Sequence, residues 1–505
     1  MDQKYSKAAV RVSLLHFVFG KAFSAIGSIL TLVLLARWAA PEVYGIYISL
    51  LALQVSLLAV STLGIETTAE RFIPELRTQR SDENLLGFIL VALASRVATL
   101  AVVALVVWLF SSHIIGLVGM TIDADAFRSW SVVIFMTGVL TCSVVFLEAL
   151  FRQRLAQLSM GAYVGLKLLA VVIVFELGVL DLPALVGIEL FSTCIASALG
   201  LYFLCRRFKP GELVKGLKVL AQYKSRISRF AFFNYMAQML FQLFSIELMK
   251  LIVLRILGVL QSAVYGFAFN LAETIYRYLP AVLLLRLIKP IFVSRYVQTG
   301  DVDQLNAMAK VVLKLNVFVL VPIIALAAAY GDQFLGLLSK GKYADGHWIL
   351  VGALMLLVMQ SHQQVLSLLA GTLERNAMQL VAGAFSVVAF PAAIMFVSRW
   401  GIPGAIAASA LGGLVYNTVA ACYLRKTGFD YRLDVRGMTV IFLAGCVFYG
   451  ISKFVEMKIV GVPGIALGMS AGAAGYLGFV RFLSAFSSAE RAMMNSILPR
   501  KLFVF

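Results

Sequence analysis

Long apolar windows recur along this 505-residue chain, and they constrain its fold more than any other feature. A helix needs about 20 mostly apolar residues to cross the hydrocarbon core of a bilayer. With 61% hydrophobic and 13% charged residues, the chain is far more apolar than a soluble domain, where about 25% of residues are charged. The sequence therefore predicts an all-α polytopic membrane protein with about 14 transmembrane helices. The windows lie near residues 12–36, 43–65, 85–110, 129–151, 160–180, 184–205, 230–257, 262–288, 307–331, 347–370, 377–399, 403–425, 437–456 and 461–483.

The Lys and Arg residues between these windows predict how the chain is oriented. Twenty-eight of the 43 lie in connections on the side of the two termini, and six lie on the opposite side. Cytoplasmic loops carry an excess of Lys and Arg, so both termini are predicted to be cytoplasmic. The first window is too long for the apolar part of a signal peptide and is interpreted as a retained helix. Topology thus accounts for the net charge of +18, and no nucleic-acid partner is predicted.

The sequence lacks the motifs of soluble enzymes. Its five cysteines lie within or beside the apolar windows, and its four histidines form no pair at helical spacing. It contains no Gly-rich phosphate loop and no Gly-x-Ser-x-Gly turn. We predict no catalytic residues, no metal site and no organic cofactor. Because no long outward loop is available for catalysis, these features favour a transporter whose function lies among its helices.

A short repeat divides the chain into two halves. The tripeptide Val-Tyr-Gly opens the second window at residues 43–45 and the eighth window at residues 264–266. Six windows separate the copies, so the halves share one orientation, as in transporters built from parallel repeats around a central cavity. Glycines in the last window, at spacings of four, four and three, predict close packing against another helix. We predict two pseudo-symmetric six-helix lobes and a C-terminal helix pair: an N-lobe at 1–229 with a basic, amphipathic interfacial linker at 206–229, a C-lobe at 230–425, and the last pair with a cytoplasmic tail at 426–505.

Charged residues deep within the windows are the main candidates for function, because each costs roughly 2.5 to 3.5 kcal/mol at mid-membrane. They either line a polar cavity as substrate-binding residues or form ion pairs that fix helix packing. The four deep cations are Lys21, Arg96, Lys167 and Arg277, and the carboxylates available as partners are Glu148, Glu176, Glu189 and Glu273. Cations nearer the ends of windows are explained by snorkelling to the interface; these are Arg255, Lys314, Lys453 and Arg481.

Uncharged polar side chains accompany the deep cations on helical faces of the first, seventh and eighth windows. Glu273 precedes Arg277 by four residues, a spacing that allows an ion pair. A mid-membrane carboxylate suits an ion relay, so Glu273 is also the candidate for H⁺ or Na⁺ coupling. A second face with Glu247 and Lys250 is predicted to form a structural pair. The predicted polar lining consists of Ser24, Ser28, Asn234, Gln238, Gln242, Asn270 and Thr274.

An excess of cations predicts a net positive cavity suited to an anion. Arg and Lys give a phosphate or diphosphate charge-assisted hydrogen bonds, which Arg often makes in pairs. A multidrug antiporter that exports organic cations is expected to have a carboxylate-rich cavity instead.

Several stretches of the chain resemble a known family. Residues 35–47 read Leu-Ala-Arg-Trp-Ala-Ala-Pro-Glu-Val-Tyr-Gly-Ile-Tyr and are followed by Leu-Gly-Ile-Glu at 63–66 and Arg-Phe-Ile-Pro-Glu-Leu at 71–76. Together they resemble the opening of the polysaccharide transport family of O-antigen and exopolysaccharide flippases. Gly-Thr-Leu-Glu-Arg-Asn at 371–376 resembles the corresponding C-lobe loop. The resemblance touches both lobes and implies the fold of the multidrug, oligosaccharidyl-lipid and polysaccharide exporter (MOP) superfamily.

The resemblance also implies a function. Family members use alternating access to move polyprenyl-diphosphate-linked oligosaccharides across the cell (inner) membrane for O-antigen, lipopolysaccharide, capsule or exopolysaccharide biosynthesis. The implied partners are the lipid-linked oligosaccharide, membrane lipids and other polysaccharide assembly proteins, and the C-terminal helix pair is expected to offer a groove to the polyprenyl tail. The alternatives are the multidrug antiporter, a membrane-embedded glycan polymerase or ligase, and a scaffold or lipid scramblase.

Overall fold

All regular secondary structure in the described part of the chain is helical, as the sequence predicts. The computed structural model describes residues 7–79, 82–206, 212–277, 301–373, 375, 377–459 and 461–497. The chain packs as two compact units, Met1–Gly266 and Phe267–Phe505. The lobe boundary predicted at residue 229 stays a prediction.

The first unit contains ten complete helices within its described residues and the start of an eleventh. Its most extensive packing joins α6 to α8, α1 to α7 and α4 to α9. The helices are α1 (Lys7–Trp38), α2 (Pro41–Ser61), α3 (Ile65–Gln79), α4 (Asp82–Leu109), α5 (Ser111–Val118), α6 (Ala124–Ala149), α7 (Gln153–Glu176), α8 (Leu182–Cys205), α9 (Glu212–Gln242), α10 (Ile246–Leu257) and α11 (Val259–Arg277), which continues into the second unit.

The second unit packs neighbouring helices together with helices that are distant in the chain. In it α12 packs against α13 and α17, α16 packs against α13, α14 and α15, and α17 packs against α18. Its described helices are α12 (Val302–Ser339), α13 (His347–Thr372), α14 (Ala377–Ser386), α15 (Ala389–Trp400), α16 (Ile402–Lys426), α17 (Val435–Lys458), α18 (Val462–Phe482) and α19 (Ser488–Ile497), with a 3₁₀ turn at Ala344–Gly346.

Within the described ranges, twelve helices are long and apolar enough to cross a membrane. They correspond to the first six and the last six predicted windows, so the all-α polytopic class is confirmed. The eighth window begins as α11, but its remainder, residues 278–288, lies outside the described residues. The twelve are Gly20–Trp38, Pro41–Ser61, Leu85–Leu109, Ala124–Ala149, Gln153–Glu176, Leu182–Cys205, Val302–Ser339, Ala344–Thr372, Ala377–Trp400, Ile402–Lys426, Val435–Lys458 and Val462–Phe482.

The seventh window is broken rather than continuous. Helix α9 begins at Glu212 in the basic linker and ends at Gln242. Ser245 then starts α10, because its hydroxyl accepts a hydrogen bond from the Leu248 N–H at 3.1 Å and so caps the new helix. Residues 243–245 therefore interrupt the helix within this apolar window.

Acidic side chains fix where several of the other helices begin. Asp181 accepts a hydrogen bond from the Ala184 N–H at 2.9 Å at the start of α8. Asp301 accepts one from the Gln304 N–H at 3.0 Å at the start of α12. Each carboxylate satisfies a backbone donor that the first turn of a helix leaves without a partner and complements the helix dipole.

The helices that carry the two Val-Tyr-Gly copies, α2 and α11, pack against each other inside the first unit. A Cβ on Gly45 would lie 2.9 Å from Cγ1 of Val259, and one on Gly266 would overlap the side chain of Ile48. Between these contacts the hydroxyls of Ser49 and Ser262 lie 3.1 Å apart. The contact is reciprocal because each copy uses its glycine to admit the helix that carries the other.

Glycines in α18 allow the close packing that their spacing predicts. A Cβ on Gly472 would lie 2.7 Å from Oγ of Ser452 on α17, and one on Gly468 would overlap the Tyr330 hydroxyl of α12. The hydroxyl of Ser452 donates to the Gly468 carbonyl oxygen at 3.1 Å. This hydrogen bond requires a close approach of the two helices, which small residues allow. The packing interpretation of these glycines is therefore confirmed.

Candidate functional site

Lys167 lies in a buried polar network in the first unit. Its Nζ lies 2.5 Å from Oε1 of Glu189 on α8, and the exposed fractions of the two side chains are 14% and 1%. The hydroxyl of Tyr163 donates to Oε2 of Glu189 at 2.9 Å, and the hydroxyl of Tyr47 on α2 donates to Oε1. The Lys167 ammonium also lies 5.5 Å from the ring centroids of both tyrosines. Helices α2, α7 and α8 thus meet at the Glu189 carboxylate. For Lys167, the ion pair that the sequence gave as the alternative to a cavity role is present.

Arg96 fixes the sharp turn between α2 and α3. Its side chain is 1% exposed and its Nε donates to Oε1 of Glu66 at 3.0 Å. One guanidinium nitrogen donates to the Ser61 hydroxyl at 2.8 Å and the other to the Leu58 carbonyl oxygen at 3.4 Å. The turn itself holds Leu63 at a φ of 44°, a left-handed conformation that a leucine rarely adopts. Each of the three guanidinium nitrogens of Arg96 therefore makes a hydrogen bond within the protein.

Glu66 is the partner that sequence reasoning missed. It lies at the start of α3, outside the apolar windows, so it was not among the carboxylates considered for pairing. Burial raises the pKa of Glu66, and the neighbouring Arg96 guanidinium opposes that rise. Its position in the Leu-Gly-Ile-Glu stretch, directly after the helix break, was the only signal in the sequence.

The polar stripe predicted on α1 lies partly against α7. Ser24 is buried, Lys21 is half-buried and makes contacts of its own, and Ser28 is exposed. Gly20 allows the two helices to approach closely, because a Cβ at this position would lie only 2.5 Å from Cβ of Gln157. The structure therefore places one member of the stripe in the α1–α7 contact and leaves another on the surface of the unit.

The amide side chains predicted on the seventh window lie along one face of α9. Nε2 of Gln242 donates to Oγ of Ser56 at 2.9 Å, and the Thr62 hydroxyl donates to Oε1 of Gln238 at 3.0 Å. Nδ2 of Asn234 instead donates to a carbonyl of its own helix, that of Phe230, at 2.8 Å. We call the contact of Ser56 on α2 and Thr62, directly after α2, with Gln242 and Gln238 on α9 the α2–α9 seam.

A cavity of about 320 Å³ opens beside the seam. Gln242 belongs to both, since its amide reaches Ser56 while its side chain lines the cavity. The remaining walls are apolar: Val60, Met236, Met239, Leu240 and Leu243. The cavity thus lies at the break between α9 and α10.

The polar face predicted on the eighth window lies on α11 in the second unit. Arg277 is 71% exposed, and its guanidinium lies 4.0 Å from Oε2 of Glu273, whose side chain is 22% exposed. That separation is too long for a hydrogen bond. Thr274 donates to the carbonyl oxygen of Asn270 at 2.7 Å, and both are half-buried. The structure therefore separates the candidate cations into Arg96 and Lys167, which are engaged and largely buried, and Arg277, which is accessible.

Snorkelling was the wrong explanation for Lys314 on α12. Its side chain is 1% exposed. The ammonium lies 2.9 and 2.8 Å from the two carboxylate oxygens of Glu490 on α19, donates to the Ala485 carbonyl oxygen at 2.9 Å and also binds Asp434. A buried ammonium needs such partners, and they come from the residue before α17 and from the chain after α18. The sequence did not show this because the tail carboxylate lies 176 positions further along the chain.

The second predicted structural pair is present as expected. Both oxygens of Glu247 accept hydrogen bonds from Nζ of Lys250 at 3.1 Å within α10.

Across the described residues, no group of three His, Cys, Asp or Glu side chains could hold a metal ion.

Comparison with known proteins adds the fold. No protein-family model and no curated protein sequence matches the chain. The lipid II flippase MurJ in its inward closed conformation has a TM-score of 0.68 and 12% identity, and the match covers 92% of this chain and 98% of MurJ. An inward-facing multidrug resistance MATE family transporter of the MOP superfamily has a TM-score of 0.63 and 14% identity, covering 80% of this chain and 94% of the transporter.

A third structure, a MOP superfamily transporter from Pyrococcus furiosus described as having a binding pocket of reversed polarity, has a TM-score of 0.55 and 15% identity over 83% of this chain and 95% of its own. At such low identities the likeness concerns the fold alone, and membership of the polysaccharide transport family stays a prediction. Together with the helices that can span a membrane, it shows that the chain has the fold of MurJ and the MATE transporters of the MOP superfamily.

Proposed function

We propose that this chain is a flippase that moves a polyprenyl-diphosphate-linked oligosaccharide across the cytoplasmic membrane by alternating access. In this proposal the chain is a multi-pass membrane protein with both termini in the cytoplasm. Its transport step serves the assembly of O-antigen, capsule or exopolysaccharide. The proposal rests on the sequence resemblance and on the fold it shares with the lipid II flippase MurJ. Other proteins of polysaccharide assembly are its expected partners.

The accessible guanidinium of Arg277 is the observation that carries the proposal. Its side chain is 71% exposed, and Glu273 lies too far away to occupy its donors through a hydrogen bond. A planar guanidinium presents paired N–H donors that match two oxygens of a phosphate. Asn270 and Thr274 precede it on the same helix, where hydroxyl and amide groups suit a sugar. The role of Lys21, on α1 in the first unit, as a further substrate-binding cation stays a prediction from the sequence.

The test is transfer of a fluorescent undecaprenyl-diphosphate disaccharide between the leaflets of proteoliposomes. We expect Arg277→Ala to lower the transfer rate at least tenfold and Arg277→Lys to recover part of it, because lysine keeps the charge but loses the paired donors. Arg399→Ala, at the exposed end of α15, is the control and should transfer lipid at the wild-type rate. Equal rates for Arg277→Ala and wild type would refute the role of Arg277.

The same vesicles separate the flippase from a multidrug antiporter. If the wild type moves no lipid-linked glycan but exchanges an organic cation such as ethidium for protons, the antiporter becomes the better description. A chain that does neither would favour the remaining alternatives, a glycan polymerase or ligase and a scaffold or lipid scramblase.

We also propose that Glu273 binds the coupling ion, H⁺ or Na⁺. It is a half-buried carboxylate on a polar face of α11. A Glu273→Gln variant should still transfer lipid without a gradient but should no longer respond to an imposed pH or Na⁺ gradient. A gradient response equal to that of the wild type would exclude this role.

A further inference from the structure

The α2–α9 seam pairs amides with hydroxyls and contains no charge. Gln242 donates to the Ser56 hydroxyl at 2.9 Å, and Gln238 accepts from the Thr62 hydroxyl at 3.0 Å. Neutral hydrogen bonds of this kind contribute little net free energy, because water or another hydroxyl replaces the partner at nearly equal energy. The seam is therefore a contact that can exchange partners.

The two amides lie four residues apart, so they project from the same face of α9 one turn apart. Their partners, Ser56 on α2 and Thr62 directly after it, follow in reverse order, which makes the two helices antiparallel along the seam. Tyr235 on the same face donates to the Val60 carbonyl oxygen at 2.9 Å. The amides are thus held in place by the backbone contact of a third residue, whichever hydroxyl they bind.

Space for a competing hydroxyl exists beside the seam. Gln242 lines the cavity of about 320 Å³ at the end of α9. Met236 and Met239 give this cavity an apolar wall, on which the carbon-bearing face of a sugar ring can pack. A sugar that entered would meet the Gln242 amide at the edge of the cavity.

We propose that Ser56 and Thr62 set the specificity of glycan recognition by standing in for sugar hydroxyls. In the present conformation they occupy the Gln242 and Gln238 amides. A glycan takes over these amides by displacing the two hydroxyls, and the seam opens as it does so. This inference rests on the proposed function and deepens it, because it names the hydroxyl-bearing part of the substrate as the group that the amides bind.

The test compares Ser56→Ala and Thr62→Val with the wild type in equilibrium binding. The probes are a farnesyl-diphosphate-linked N-acetylglucosamine disaccharide and farnesyl diphosphate without sugar. Each substitution removes one competitor for an amide, so we expect the sugar-bearing probe to bind about fivefold more tightly to each variant, with unchanged binding of farnesyl diphosphate. Ser398→Ala, whose hydroxyl only donates to the Ile394 carbonyl oxygen of its own helix, is the matched control.

Two further variants exclude a structural explanation. Gln238→Leu and Gln242→Leu should weaken binding of the sugar-bearing probe alone, whereas damage to the fold weakens both probes together. Equal affinity of the wild type and the Ser56 and Thr62 variants for the sugar-bearing probe overturns the inference, and so does a parallel change for both probes. If the wild type binds only farnesyl diphosphate, the amides do not read sugar and the inference fails while the diphosphate site stands. If it binds neither probe, the proposed function itself fails.

Discussion

Replacing Lys167 with methionine should destabilise the first unit, because it leaves the Glu189 carboxylate buried without its counter-charge. Glu189 is 1% exposed, so water cannot take the place of the ammonium. Removing one partner of a buried ion pair typically costs about 3–5 kcal/mol. Tyr47 and Tyr163 still donate to the carboxylate, which puts the expected loss at the lower end, about 3 kcal/mol.

A double variant makes the prediction specific to the pair. In Lys167→Met with Glu189→Gln both charges are gone, and the amide can still accept from one tyrosine hydroxyl through its oxygen while its NH2 donates to the other. Since replacing both members of a buried pair is often close to neutral, we expect the double variant to recover about 2 of the roughly 3 kcal/mol and to lose much less than the sum of the two single losses. Lys453→Met is the control, because Lys453 pairs with Glu456 at the surface of α17, where such pairs contribute about 0.2–1 kcal/mol.

The assay is denaturant unfolding of the purified protein in detergent, with lipid transfer measured on the same samples. The reasoning is refuted if Lys167→Met is as stable as the wild type, or if the double variant loses the sum of the two single losses. Transfer by a stable double variant at the wild-type rate would leave Lys167 with a structural role only. Loss of lipid transfer in a stable double variant would support the predicted contact of Lys167 with substrate.

Three further outcomes follow from contacts in the second unit. Gly468→Val should lower the thermal stability, since its first side-chain atom would overlap the Tyr330 hydroxyl, and an unchanged melting temperature would contradict the packing. Lys314→Met should free α19 and speed proteolysis of the C-terminal tail, whereas Lys310→Met should not; equal cleavage of the two would count against the contact with Glu490. Burial raises the pKa of Asp434, but hydrogen bonds from Lys314 and the Gly437 N–H outweigh it and hold the pKa below its usual value. The stabilisation by this carboxylate is therefore present above a pH of about 4 and lost as the pH falls through the lowered pKa, so the melting temperature should show no loss from Asp434 at a pH of about 5 and should fall only in stronger acid.

The helical class was predictable from the sequence because apolar length alone decides it, but the seventh window shows where that reasoning stops. The mean hydropathy of residues 230–257 predicts one span. It cannot show where a helix ends within that span, because this depends on the hydrogen bonds of individual residues. Ser245 is a good helix start, and its hydroxyl does cap α10. A start signal inside an apolar window is weak evidence in a sequence, so the break was not predicted.

The candidate site was predictable by residue type and not by partner. The cost of burying charge showed that Arg96 and Lys167 needed polar surroundings. Glu189 was foreseen as a partner because it lies in a span. Glu66 was not, since it lies in sequence beyond the second window and reaches Arg96 only when the chain turns sharply at Leu63. Periodicity likewise placed Gln238 and Gln242 on one face but could not identify the hydroxyls opposite, which are more than 170 positions away in the chain.

The break between α9 and α10 makes α9 a long lever. With 31 residues at 1.5 Å each, the helix extends about 46 Å from its end at the cavity to Glu212. A rotation of about 10° at residues 243–245 would move the far end by about 8 Å, given that length. Arg226, partway along, holds Glu75 of α3 through hydrogen bonds of 2.7 and 3.1 Å, and it would have to release them. A small rotation of α9 at its cavity end would thus be converted into a large displacement of the basic linker at the other end.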